Sequence, residues 1–235
     1  MVQRRFVAFA VAVVGSSAGA QPIFDTFGDF SNQAFDALDL PESAVAASKQ
    51  IVDGDVIITL ALSATERPSN PALTNDGAGT YFATPGTNVG VNTEVALWDF
   101  NYLIQVEGTN GATPILSDYQ FDLFYDFDPS EDTDRNTLSQ FDVTALLNFA
   151  GSNSTVFVDS QNLISAFLAT PSTFITPQAG GFDPNALGEY NFAITVSQPG
   201  GFPVETVAID VAVIPAPASV SLLGGACLLN VRRRR

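Results

Sequence analysis

Apolar and polar residues alternate strictly along several stretches of the chain. The alternation runs through residues 98–106, 119–127, 190–196 and 207–213. In the first stretch one face carries Trp98, Phe100, Tyr102, Ile104 and Val106, and the other carries Asp99, Asn101 and Gln105. Since successive side chains of a strand point to opposite faces, this period of two predicts strands with one buried and one wet face. Further strand candidates are residues 56–62, 81–82, 141–147, 156–158 and 163–168.

Turn residues separate these stretches, as in Gly-Thr-Asn-Gly at 108–111, Asn-Asp-Gly at 75–77 and Pro-Gly-Gly at 199–201. Short strands that are bounded by turns and polar on one face are typical of two antiparallel sheets packed together. The pattern therefore predicts an all-β fold for residues 21–213, namely an antiparallel β-sandwich that resembles a jelly roll. One helix is predicted within residues 36–50, which are rich in alanine.

Residues 1–20 depart from this pattern and are typical of an export signal. Two arginines precede nine apolar residues at 6–14, and small residues follow, with Ala18 and Ala20 in an A-x-A arrangement. A signal peptidase acts on this order of features. We therefore predict cleavage after Ala20, which leaves Gln21 as the new N-terminus. The alternative is a buried N-terminal helix.

The final segment, 214–235, departs from the pattern as well. Pro215, Ala216 and Pro217 interrupt regular structure, because proline lacks an N–H donor. Residues 218–231 are then apolar and uncharged, and the sequence ends in Arg232, Arg233, Arg234 and Arg235. A helix over residues 217–231 would be about 22 Å long, against a hydrocarbon core of about 30 Å. Because basic residues stay on the cytoplasmic side, the four arginines would hold the end of this helix there. A short transmembrane helix that serves as a temporary stop is therefore predicted.

The proline pair, the short apolar segment and the arginine cluster together resemble the PEP-CTERM sorting signal. Pro215 and Pro217 match the prolines of that motif, and Arg232, Arg233, Arg234 and Arg235 match its basic tail. Ala216 stands where the family usually has glutamate, so this is a Pro-Ala-Pro variant. The resemblance implies export by a Gram-negative bacterium that makes exopolysaccharide, and cleavage by exosortase, a transpeptidase-like membrane enzyme. It covers residues 214–235 only, for which a tail anchor or a buried helix are the alternatives.

Charge is divided unevenly along the chain. All 25 acidic residues lie between Asp25 and Asp210, together with only three basic residues, which gives this region a net charge of −22. The three are Lys49, Arg67 and Arg135. Binding to nucleic acid or to anionic lipid requires clustered lysine and arginine. The composition therefore excludes nucleic acid as a partner, and membrane contact is expected only through the C-terminal segment before processing.

The sequence contains no histidine and a single cysteine, Cys227. It cannot form a disulfide within itself, nor can it build a Ser-His-Asp or Cys-His catalytic site or a histidine-ligated zinc site. Acid–base chemistry would have to rest on carboxylates and tyrosines. We therefore expect that the protein is not an enzyme.

An acidic loop offers the oxygen ligands that a hard cation such as calcium requires. The candidate ligands are Asp126, Asp128, Glu131, Asp132 and Asp134. The loop lacks the glycine of an EF-hand and the glutamate at its twelfth position, so a solvated acidic turn is the alternative. No other cofactor is predicted.

Three functions agree with these observations. The first is a structural or interaction protein of the cell envelope, cell surface or extracellular matrix, with signal peptidase and an exosortase-type enzyme as processing partners. The second is a carbohydrate-binding module or adhesin, with exopolysaccharide as its candidate partner and an exposed aromatic platform as its mark. The third is a glycan-active enzyme using two of Asp99, Asp122 and Glu94, which requires carboxylates about 5.5 Å or about 6.5–9.5 Å apart. Alternating acids of this kind are typical of the wet face of a strand, so we expect these three carboxylates to be exposed to solvent. Trp98 and Tyr102 are in phase with apolar residues, so we expect both rings to lie in the core.

Overall fold

The computed structural model describes residues 22–36, 45–67, 72–89, 94–131, 136–198, 201 and 203–215. The predicted signal peptide with its cleavage site, the apolar segment and arginine cluster of the sorting signal, and the calcium candidates Asp132 and Asp134 lie outside these residues. Of the sorting motif, Pro215 is described. Within the described ranges no helix has the length and hydropathy needed to cross a membrane.

Strands dominate the described residues. In chain order they are β1 (Thr26–Asp29), β2 (Val45–Asp53), β3 (Val56–Glu66), β4 (Thr74–Asn75), β5 (Thr80–Ala83), β6 (Thr87–Val89), β7 (Glu94–Ala96), β8 (Trp98–Gly108), β9 (Gln120–Tyr125), β10 (Ser139–Asp142), β11 (Val156–Gln161), β12 (Ile175–Thr176), β13 (Gly188–Ser197) and β14 (Glu205–Val213). The helices are short: α1 (Gln33–Asp36), α2 (Val143–Ala150), α3 (Ala166–Ala169) and one 3₁₀ turn at Leu116–Asp118. The predicted all-β class is confirmed.

The strands form two large sheets and one small one. The five-stranded sheet has the order β1-β2-β3-β8-β11, and all of its neighbours are antiparallel. The seven-stranded sheet has the order β12-β10-β9-β13-β14-β5-β4. Its neighbours are antiparallel except β14 and β5, which run parallel. β6 and β7 pair with each other only. Apart from the parallel pair of β14 and β5, the predicted antiparallel arrangement is confirmed.

The inner faces of the two large sheets share one hydrophobic core. Phe100 of β8 packs against the opposite sheet, with ring-centroid distances of 4.7 Å to Phe192 and 6.4 Å to Tyr125. Beside it, the Trp98 ring lies 5.9 Å from Tyr190. Trp98 and Tyr102 are buried, as their phase in the alternation predicted. Contacts between aromatic residues on the two sheets therefore hold the layers together.

The outer face of the five-stranded sheet is also covered, in contrast to the prediction. Phe35 of α1 packs there against Ala46, Ala61 and Leu103 in a second, smaller apolar cluster. The central strands β3 and β8 are therefore buried on both faces over most of their length. Asp99 and Asn101, which alternation assigned to a wet face, are buried as well. That assignment was wrong because the period of two identifies the two faces but not what covers them.

Three local predictions were also wrong. The strand candidate at 163–168 is a turn followed by α3 (Ala166–Ala169). Of the predicted 36–50 helix, Asp36 is the last residue of α1, but residues 45–50 belong to strand β2 and pair with β1 and β3. Within 141–147, the strand ends at Asp142 and α2 begins at Val143. The Asp142 side chain caps α2 by accepting a hydrogen bond from the Ala145 amide at 2.7 Å, and Gly151 ends it in a left-handed conformation.

The turn predicted at 108–111 is confirmed. Asn110 and Gly111 both have positive φ, 51° and 89°, and the Ala112 amide donates to the Thr109 carbonyl at 2.9 Å. These are the features of the tight turn that Asn-Gly favours. The turn follows β8, and the Thr109 amide donates to the carbonyl of Asp55 in the β2–β3 connection.

Candidate functional site

A network of buried polar side chains lies on the outer face of the five-stranded sheet, at the start of β8. At its centre is Asp99, which is 2 % exposed. The amide Nδ2 of Asn162 donates to Asp99 Oδ1 at 2.6 Å, and Nε of Arg67 lies 2.7 Å from Asp99 Oδ2. The Arg67 N–H does not point along this contact, so the pair is an ion pair without a well-aligned hydrogen bond.

Asn162 connects this centre to the surrounding backbone. Its Nδ2 also donates to the carbonyls of Ala96 at 3.1 Å and Trp98 at 3.0 Å. Its Oδ1 accepts from the amides of Ala96 at 3.0 Å and Ile164 at 3.3 Å. One side chain following β11 therefore ties the β7–β8 connection to the loop before α3, which makes this corner of the fold rigid.

The network continues across the sheet away from the corner. Asn101 Nδ2 lies 3.2 Å from Ser63 Oγ and 3.2 Å from Thr65 Oγ1, both on the neighbouring strand β3. All three side chains are buried. Buried polar groups are costly unless they are paired, so these hydrogen bonds account for polar residues at a covered position.

Burial raises the pKa of Asp99 above its ordinary value of 3.8. Three neighbours oppose the rise in that pKa: the hydrogen bond from Asn162, the positive charge of Arg67 and a hydrogen bond from Ser160. Desolvation outweighs them, which means that the ionised carboxylate is less favourable here than in the unfolded chain.

The stability of the protein is therefore expected to contain a pH-dependent contribution from Asp99. Because the folded-state pKa exceeds the unfolded one, the folded state takes up a proton first, and this contribution becomes more favourable as the pH falls through the folded-state pKa towards 3.8. Asp99→Asn removes it. We expect the unfolding free energy of the wild type, minus that of the variant, to increase as the pH is lowered in urea titrations. A difference that is constant or that decreases with falling pH would contradict the assignment.

A surface groove of about 520 Å³ lies directly over this network. Its polar lining comprises Arg67, Glu94, Ser160, Gln161, Asn162 and Ser165. β7 supplies Glu94, the end of β11 supplies Ser160 and Gln161, and Ser165 immediately precedes α3. The Arg67 side chain is 37 % exposed although its Nε atom is buried. The part of Arg67 that is exposed to solvent is therefore the rest of the side chain.

Of the three carboxylates considered for glycan hydrolysis, Asp122 lies apart from the other two. Asp99 lies on the outer face of the five-stranded sheet, whereas Asp122 alternates with the buried Phe121 and Leu123 on β9 of the opposite sheet. The shared core separates these two acids. Asp122 Oδ1 accepts hydrogen bonds from the side-chain amides of Gln120 and Gln140, while Glu94 is exposed beside the groove. A retaining or inverting pair from Asp99 and Asp122 is therefore excluded by geometry.

The described calcium candidates differ in their environments. Asp126 is buried and its Oδ1 accepts from the Asp128 amide at 2.8 Å, while Asp128 is exposed and accepts from the Ser130 amide at 3.0 Å. Glu131 is exposed. Among the residues that the structure describes, no three acidic or cysteine side chains are grouped as a metal would require. Since Asp132 and Asp134 fall outside them, calcium binding stays a prediction.

Exposed aromatic side chains occur on one edge of the fold. Phe149 of α2 is 81 % exposed, and its ring centroid lies 6.1 Å from that of Phe174. Phe174 and Phe167 line a cleft of about 350 Å³ with Thr170 and Ser172. Ala166 lines this aromatic cleft as well as the polar groove, so the two depressions adjoin at α3.

Sequence reasoning considered Asp99 and Glu94 for another role and did not identify Arg67 or Asn162. The available signal was the scarcity of positive charge, because Arg67 is one of only three basic residues between Asp25 and Asp210, a region that holds 25 acidic residues. Asn162 left no signal, since a single asparagine after a strand is ordinary in a turn.

No family model matches the chain, and comparisons with curated proteins and with solved structures gave no match either.

Proposed function

We propose that this is an exported protein of a Gram-negative cell envelope, cell surface or extracellular matrix, with a structural or interaction role. The observation that carries the proposal is the order of segments in the sequence: an export signal, one acidic β domain, and a segment resembling the PEP-CTERM sorting signal. Signal peptidase and an exosortase-type enzyme are the proposed processing partners. The C-terminal helix contacts the membrane only until it is removed.

The contacts at both limits of the described fold support this division. Ile23 forms a β-bridge with Ala208 of β14, and the Ile214 amide donates to the Ala83 carbonyl at 2.9 Å. The first and the last described segments are therefore both held by the seven-stranded sheet. These contacts lie close to the proposed domain boundaries, residues 21 and 213. The two facing sheets also support a finer proposal, that the domain is a jelly-roll-like sandwich.

A non-enzymatic role is supported by the placement of the acids. In the part of the chain that is described, Asp99 is held by Arg67 and Asn162, and the core separates it from Asp122.

The groove and the adjoining aromatic cleft favour a second candidate within the same proposal, namely that the domain is a carbohydrate-binding module or adhesin. Matrix polysaccharide is then its partner.

Mass spectrometry of the native protein tests the sorting proposal. We expect the form recovered from envelope or medium to begin at Gln21 and to end near Pro215, because signal peptidase and the exosortase-type enzyme would remove the flanking segments. Replacing the four terminal arginines with serine is expected to leave the tail on the product. A secreted mature form that retains the arginine cluster would refute the proposal.

A further inference from the structure

We propose that the groove over the Asp99 network is the ligand site of the domain, and that its ligand is a neutral glycan. The inference deepens the carbohydrate-binding role proposed above and rests on it. The groove volume of about 520 Å³ lies within the range of small-molecule sites, about 300–1,000 Å³.

The charges around the groove select against anionic ligands. Glu94 repels an anion, as does the net charge of −22 across residues 25–210, while the positive charge of Arg67 is already compensated by Asp99. A neutral ligand avoids this penalty. The lining also offers donors and acceptors side by side, since guanidinium groups only donate, carboxylates only accept, and the amide of Gln161 and the hydroxyl of Ser165 do both. Vicinal hydroxyls, which each donate and accept, fit this mixture.

Several of these side chains are held in place before any ligand arrives. Arg67 is ion-paired to buried Asp99, and its own amide donates to the Leu97 carbonyl at 2.8 Å. Glu94 accepts a hydrogen bond from the Thr87 hydroxyl at 2.8 Å across the β6–β7 pair. Gln161 Nε2 donates to Asp159. Ordered side chains lose less conformational entropy on binding, which favours recognition of a weakly interacting ligand such as a sugar.

The groove also provides apolar surface, which the C–H faces of sugar rings require. Val95 and Ile164 contribute to its walls. At α3 it adjoins the cleft lined by Phe167 and Phe174, whose rings offer apolar faces against which a further sugar unit can pack. A polar groove that leads into an aromatic cleft matches a chain of several sugar units better than a compact small molecule.

Affinity electrophoresis of the purified full chain tests this inference. The gels contain dextran, mannan, xylan or hydroxyethyl cellulose as neutral probes, and alginate or polygalacturonate as anionic ones. We expect retardation by at least one neutral polysaccharide. Glu94→Ala and Gln161→Ala are each expected to weaken that binding about tenfold, the usual effect of losing one or two hydrogen bonds.

Glu107→Ala is the matched control, because Glu107 is an exposed glutamate near the other end of β8, away from the groove. It is expected to bind as tightly as the wild type. The inference is overturned if no neutral polysaccharide retards the protein, if only the anionic probes do, or if the two groove variants bind normally. None of these outcomes bears on the sorting proposal, which the masses of the mature termini decide separately.

Discussion

Phe100→Ala is expected to lower the free energy of unfolding by about 3–5 kcal/mol, the usual effect of truncating a fully buried phenylalanine. Phe100 is 0 % exposed and packs against the opposite sheet, with Phe192 at 4.7 Å and Tyr125 at 6.4 Å between ring centroids. Alanine would leave a cavity at the interface of the layers, where rigid strands on both sides limit collapse. Urea denaturation, followed by the fluorescence of the single tryptophan, Trp98, measures the change.

Phe149→Ala supplies the matched control, since it is the same substitution at a ring that is 81 % exposed. Its effect is expected to stay within about 0.5 kcal/mol. If the two variants lost similar stability, or if Phe100→Ala changed it by less than about 1 kcal/mol, the shared core between the two sheets would be refuted.

Arg67→Met is expected to cost about 2–3 kcal/mol. Methionine keeps the apolar stem but removes the charge, so the carboxylate of Asp99, which is 2 % exposed, loses its cationic partner. Removing one partner of a fully buried ion pair costs about 3–5 kcal/mol. We expect less here because the Arg67 side chain is 37 % exposed and water screens the pair.

A double variant separates the loss of the pair from the loss of packing. Arg67→Met combined with Asp99→Asn leaves no stranded charge, so it is expected to recover at least half of the lost stability. Lys49→Met is the control, because the partners of Lys49, Asp25 and Glu205, are accessible to water once it is gone. Its cost is expected to be about 1 kcal/mol or less. Equal costs at Lys49 and Arg67, or a double variant no better than Arg67→Met alone, would show that burial of Asp99 has no energetic consequence.

The elements with the clearest alternation were predictable because their pattern follows from local geometry. β8, β9, β13 and β14 each carry a period of two over most of their length, and large aromatic residues mark the inner faces of β8, β9 and β13. α2 was missed although its signals are local too. Asp142 and Gly151 stand one residue outside either end of the helix, as capping residues do, but the apolar residues between them also suit a strand.

The candidate site was less predictable, since it depends on contacts between residues far apart in sequence. Arg67 follows β3, Asp99 is in β8 and Asn162 follows β11, and only the order of these three strands in one sheet brings them together. The burial of Asp99 likewise depends on what covers the outer face. Neither the pairing order nor the covering elements are encoded in a period of two.

By itself, the sequence determined the all-β class, the inner faces of the main strands, the acidity of the domain and the absence of histidine chemistry, because composition and side-chain alternation are local properties. Tertiary structure alone decided that both faces of the central strands β3 and β8 are covered, that Asp99 and Asp122 lie on opposite sides of the core, and that a polar groove forms over the ion pair of Arg67 with buried Asp99. These features depend on which strands become neighbours, and that order is selected by the free energy of the packed whole rather than by any one segment.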